Sequence, residues 1–166
     1  MRFHSAPVTR LADAKSVHLG HVARADGAWR IYVFADAEGL AGTRVPDLCD
    51  YLNSDLSPIS RYTPKGADPD SIIDVRAIFQ QGHRELEIGD LPAVLTPHKG
   101  DFGLVDHEKA FTPDPKADNI FDLRGINRET GAIVVVRPDQ YVAQVLPLHA
   151  HDALADFFAG ILIDAQ

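Results

Sequence analysis

Cys49 is the first residue that could carry chemistry, since a thiolate is both a nucleophile and a redox centre, and it is the only cysteine in the chain. Dithiol exchange needs a second, resolving thiol, normally in Cys-x-x-Cys, and Asp47-Leu48-Cys49-Asp50-Tyr51 offers none. Two nearby carboxylates raise a thiol pKa rather than lower it. Cys49 is therefore expected as a small buried hydrophobe. Eight histidines raise the question of a metal. His18 and His21 form His-x-x-His, a spacing that on a strand sends the two rings to opposite faces. His149 and His151 form His-x-His, which joins two imidazoles only if the segment stays extended, and no third ligand or supporting shell is identifiable. Solvated histidines at a helix entrance are expected there. Asp101, Asp106, His107 and Glu108 make an equally incomplete set. No metal site is expected.

Cofactor and nucleophile motifs are missing as well. No Gly-x-Gly-x-x-Gly follows a strand, and the closest glycine pair, Gly39 and Gly42, falls in a loop. There is no Walker loop, and Ser57 and Ser71 lack the setting of a nucleophile elbow. No catalytic and no cofactor-binding residue is expected in this chain. Arg137-Pro138-Asp139-Gln140-Tyr141 is the most distinctive polar group left. One reading is turn chemistry, with Arg137 and Asp139 solvated or paired across the loop. The other makes Arg137, Asp139 and Tyr141 a candidate interface, because Arg and Tyr are favoured at interface hot spots.

The elements that must position these residues follow from periodicity. Residues 1–16 show little and read as a lead-in segment. Val17 to Ala23 alternates imperfectly and Trp29 to Ala35 is rich in aromatic and β-branched residues, which suggests a hairpin with Arg24 to Ala28 at its tip. Val45, Leu48, Cys49 and Leu52 recur at helical spacing, with Pro46 in the first turn. Ile73, Val75, Ala77 and Phe79 alternate with Asp74, Arg76 and Ile78, as in a strand with one covered face. Residues 80–116 allow a short helix over Leu86 to Leu95, broken at Pro92, and a strand or extended excursion over Gly100 to Phe111. Ala117 to Arg124 reads as a short helix closed by Gly125. Ala132 to Val136 is an unbroken apolar run, expected for a strand covered on both faces, and Arg137 to Gln140 turns it into a second strand. Leu154, Phe157, Phe158, Ile161 and Leu162 mark a final amphipathic helix, with Asp152 near its start.

Composition sets outer limits. The chain has 166 residues, 45% hydrophobic and 24% charged, which fits one ordinary globular domain. A net charge of −8 argues against a nucleic-acid partner. No apolar run approaches the roughly 20 residues that span a bilayer, so no membrane partner is expected. No signal peptide is visible, and one cysteine suits a reducing cytoplasm.

A strand–helix–strand half followed by a hairpin–helix half resembles the thioredoxin-like fold: α/β, a central mixed sheet flanked by helices, here without Cys-x-x-Cys. The wording "GAIVVVRPDQYVAQVLPL", with "FDLRGI" before it, resembles the C-terminal domain of flavin-dependent phenol 2-monooxygenases and 3-hydroxybenzoate 4-hydroxylases. "WRIYVFAD", "DSIIDVRAIFQQGH" and "FGLVDHEKAF" extend the resemblance over nearly the whole chain. The resemblance implies that residues 1–16 lead in from an FAD- and substrate-binding region outside this chain, and that 17–166 are the thioredoxin-like domain. It implies a structural and dimerising role in an aromatic-ring hydroxylase using FAD and NAD(P)H, with a homodimer and the parent enzyme's catalytic domains as partners. The competing class is a stand-alone thioredoxin-like protein with single-cysteine redox or small-ligand-binding function. Cys49 separates the two: exposed and acidic for redox, buried and inert for structure.

Overall fold

The apolar run Ala132–Val136 is buried throughout because it lies inside a seven-stranded sheet with both faces covered. The computed structural model describes residues 1–3 and 5–165. Its strands are β1 (Pro7–Arg10), β2 (Ser16–His18), β3 (Trp29–Phe34), β4 (Ile73–Ile78), β5 (His98–Lys99), β6 (Leu104–Val105), β7 (Ala110–Pro113), β8 (Ala132–Val136) and β9 (Val142–Leu146). The helices are α1 (Arg44–Leu52), α2 (Pro58–Tyr62), α3 (Ile120–Arg124) and α4 (His151–Ala159). Sheet order is β2-β1-β7-β4-β3-β8-β9, while β5 and β6 form a separate two-stranded arm. β3 runs parallel to β4 and β4 to β7; the other pairs are antiparallel, so the sheet is mixed.

Both expected halves are present. The stripe Val45, Leu48, Cys49 and Leu52 is buried along α1, which connects the parallel strands β3 and β4. β8 and β9 pair from Ile133↔Leu146 to Val136↔Val142. Between them Gln140 N donates to Arg137 O at 2.9 Å and Gln140 takes φ 65°, which fits a three-residue hairpin loop ending in a left-handed residue. On one face of the sheet, α1, α2 and α4 cover Ile31, Val33, Val75 and Val135. On the other, α3 and the N-terminal segment cover Tyr32, Phe34, Phe111 and Val134. Asn119 caps α3 by accepting from Phe121 N at 2.9 Å, and Gly125 ends it at φ 63°.

Several local expectations change. Val17 to Ala23 does not pair with β3. The three residues of β2 pair with β1, and residues 19–28 loop back to β3, since Gly20 packs on Ser5 and ends the extended stretch. Within residues 1–16, β1 is bonded on both edges. β4 is buried on both faces rather than one, because its charged residues pair with each other and with neighbours. α4 stops at Ala159. Gly160 costs about 1 kcal/mol against Ala in a helix, so Ile161 and Leu162 follow the helix instead of extending it. In 80–116 the expected short helix is two 3-10 turns, Ile88–Asp90 and Ala93–Leu95, on either side of Pro92.

Candidate functional site

Cys49 sits mid-helix on the inward stripe of α1 and is 1% exposed. Burial first, and then the charge of Asp50, push its thiol pKa up to about 12. At pH 7 that leaves roughly one thiolate in 10⁵. A nucleophile needs the opposite environment. Iodoacetamide is therefore expected to leave Cys49 unmodified in the folded protein and to label it only as urea unfolds the chain. Rapid labelling without denaturant would contradict the buried placement. Cys49→Ser should cost about 1–3 kcal/mol, the price of a hydroxyl at an apolar site, seen as a lowered urea midpoint.

The histidine pairs behave differently from each other. His18 ends β2 and His21 lies in the following turn, where His21 N donates to His18 O at 2.8 Å. Their rings come to 5.1 Å between centroids, so the turn brings together what a continuous strand would have separated. His151 begins α4 and stacks on Tyr51 at 4.5 Å, with ring planes 3° apart. It is half-buried, whereas His149 is exposed. Asp101 and His107 are exposed, Glu108 binds Arg10 at 2.9 Å, and Asp106 turns toward two lysines. Among the described residues no group of three or more His, Cys, Asp and Glu is placed to hold a metal ion.

The densest polar constellation is one that periodicity does not reveal. Arg30 on β3 and Asp74 on β4 are lateral neighbours in the parallel register. Arg76 Nε donates to Asp74 Oδ2 at 2.9 Å, and Lys109 Nζ donates to Asp74 Oδ1 at 2.6 Å. Lys109 also binds Asp70, which takes a second bond from Lys99 at 2.7 Å. Arg30 closes the far end, with Nη2 donating to both oxygens of Asp26 at 2.8 Å. Burial alone would raise the Asp70 carboxyl pKa, but the Lys109 and Lys99 bonds outweigh it and hold the value below the usual carboxylate range. The same balance, with a bond from the Glu108 amide, lowers Asp106. Each buried charge thus has an opposite partner, which fixes β3, β4 and the loops at one end of the sheet. The signal in the sequence is that Arg30, Asp74 and Arg76 interrupt apolar strands.

A dinucleotide does not fit the glycine pair. A Cβ at Gly39 would meet the Gln81 side chain at 2.8 Å and one at Gly42 would meet Glu38 at 2.6 Å, so an amide and a carboxylate lie where a phosphate cradle would have to be. Arg137, Asp139 and Tyr141 lie together at the β8–β9 tip. Arg137 pairs with Asp139 at 2.7 Å, as turn chemistry alone would have it, while Tyr141 remains 44% exposed. The N-terminal segment runs beside this tip: Phe3 N donates to Gln140 O at 2.7 Å and Val142 N to Met1 O at 2.8 Å. No helix among the described residues is long and apolar enough to cross a membrane.

Comparison with known proteins adds the family. The phenol hydroxylase C-terminal dimerisation domain matches over residues 1–166. A 3-hydroxybenzoate 4-monooxygenase of Comamonas testosteroni is 54% identical over 98% of this chain and 26% of its own length. An FAD-dependent monooxygenase of Aspergillus terreus is 35% identical over 98% of this chain and 27% of its own. The chain thus spans about a quarter of the length of these curated relatives. The thioredoxin domain of a thiol-disulfide oxidoreductase from Bacteroides vulgatus aligns with TM-score 0.55 at 13% identity, over 98% of this chain and 96% of that one. The fold is thioredoxin-like, and with one cysteine it has no Cys-x-x-Cys.

Proposed function

The chain belongs to the phenol hydroxylase C-terminal dimerisation domain family, and from that premise we propose that it works by contact. It pairs two copies of an FAD- and NAD(P)H-dependent aromatic-ring monooxygenase, of the phenol or 3-hydroxybenzoate hydroxylase type, and braces the catalytic part of each. The observation that carries this reading is where the reactive groups lie. Cys49 and the Lys109–Asp74 pair at the centre of the charged cluster are buried, while Phe102 and Leu104 are exposed. FAD and NAD(P)H belong to the rest of the parent enzyme, and no residue of this chain is assigned to catalysis. The enzyme is cytoplasmic in this reading.

Arg137, Asp139 and Tyr141 form the bracing contact in this proposal. Arg2 bridges to Tyr141, with its guanidinium 5.9 Å from the ring centroid, so residues preceding Met1 in a longer enzyme would emerge beside the tip. A free-standing redox protein would need a thiol far more accessible and acidic than Cys49. The test uses the purified chain. It is expected to sediment as a dimer, to carry no flavin absorbance after incubation with FAD and dialysis, and to oxidise no NAD(P)H with an aromatic acid present. Stoichiometric FAD surviving dialysis would overturn the contact-only reading; a monomer at every concentration would overturn the pairing.

A further inference from the structure

We propose that two copies grip each other by exchanging the β5–β6 arm, with Phe102 of each seated in a cleft of the other. The proposal rests on the dimerisation reading above and names its surface. The arm is a short hairpin whose turn holds Gly100 at φ 67° and Gly103 at φ 59°. Gly103 N donates to Gly100 O at 3.0 Å, and Asp106 N to Pro97 O at 2.9 Å at the base. Two ties fix it to the body: Lys99 Nζ on Asp70 at 2.7 Å and Gly100 N on Asp68 Oδ1 at 2.7 Å. A two-residue ladder does not hold itself in water, so these ties are what give the arm one shape. It is thereby pre-organised, and little ordering remains to be done on binding.

The pinned arm presents apolar side chains to water. Phe102 is 91% exposed and Leu104 70%, with Val105 beside them. Single exposed hydrophobics are common, but Phe102 and Leu104 lie two residues apart at the end of a pinned hairpin. At the base of the arm lies a cleft of about 360 Å³, lined by the apolar Leu52, Ile59, Ile73 and Val75 and also by the paired Asp70 and Lys109. A cavity of about 150 Å³ is enough for benzene, so the cleft has room for a phenyl ring. At 91% exposure, Phe102 is not seated in the cleft of its own chain. Knob and hole occur on one chain, and His98 belongs to both the arm and the cleft wall. A two-fold axis near that wall would let each arm enter the other copy's cleft, a self-complementary contact of the kind closed dimers use. The net charge of −8 on each copy disfavours association, so an uncharged knob suits the contact better than a carboxylate would.

Sedimentation of the 166-residue chain tests this. Phe102→Asp is expected to raise the dimer dissociation constant at least about thirtyfold, the scale of a hot spot, while circular dichroism stays that of the parent. A photoreactive benzophenone amino acid at position 102 is expected to give a covalent dimer crosslinked at residues 52–59 or 93–97. If the parent chain is dimeric and Phe102→Asp is equally so, or the crosslink maps elsewhere, arm exchange is wrong while dimerisation stands. If the parent chain is a monomer at all concentrations, both fall.

Discussion

Lys109→Met is expected to destabilise the fold by about 3–5 kcal/mol, because removing one partner of a buried ion pair leaves the others uncompensated. Lys109 is 2% exposed and is bound by Asp70 and Asp74. Methionine fills much of the same volume, so loss of packing contributes little and the change isolates the charge. Asp74 would keep its bond from Arg76, while Asp70 would keep only the half-exposed Lys99. The measurement is a urea unfolding midpoint at pH 7, taken at a low concentration where association does not contribute. A loss under about 1 kcal/mol would mean the cluster behaves like an exposed surface pair.

The cluster also fixes the sign of the acid response. Asp70 and Asp106 have folded-state pKa values held below the ordinary carboxylate value. A depressed carboxylate contributes stability that is complete above its unfolded pKa of about 4 and is lost as pH falls through the folded value. Stability should therefore decline below about pH 4, and Lys109→Met should flatten that decline because the bonds lowering Asp70 are partly gone.

How much of this is legible in the residues depends on what each element needs. The α1 stripe and the Ala132–Val136 run are set by local periodicity, and both form as patterned. The Pro138 turn is readable for the same reason, since its geometry is set within a few residues. Strand pairing is not local. Nothing in Val17 to Ala23 states that β2 must pair with β1 rather than β3. Asp74 and Arg76 look like a solvent face because alternation cannot distinguish water from a buried counter-ion, and the counter-ion Lys109 is 35 residues away from Asp74. The arm is hardest of all. Gly100 to Phe111 reads only as a strand or extended excursion, and that Phe102 faces outward depends on the ties to Asp68 and Asp70. Cys49 is the opposite case, for its helical neighbours alone indicate burial.

Gly131→Ala is the second large expected effect, and a glycine control separates its causes. Gly131 enters β8 at φ 62°, a left-handed conformation that costs an L-residue about 1–2 kcal/mol. A Cβ there would also press on Phe34 O, on Asp36 N at 2.8 Å and on Leu148 Cδ1 at 2.9 Å. Two of those atoms are backbone of the neighbouring β3 and its exit, so they cannot rotate away. Overpacking of this kind costs about 1–3 kcal/mol, giving a total loss of about 2–5 kcal/mol. Gly66, at φ 84°, has nothing within 4 Å of the place a Cβ would occupy, so Gly66→Ala should show the conformational part alone, about 1 kcal/mol. Equal losses for the two variants would show that β3 and β8 yield where the packing says they cannot. Association supplies an independent reading. Gly131 lies away from the arm and cleft in sequence and contacts, so its variant should unfold earlier yet dimerise normally while folded. Phe102→Asp should do the reverse, and that opposition separates what holds the domain together from what holds two domains to each other.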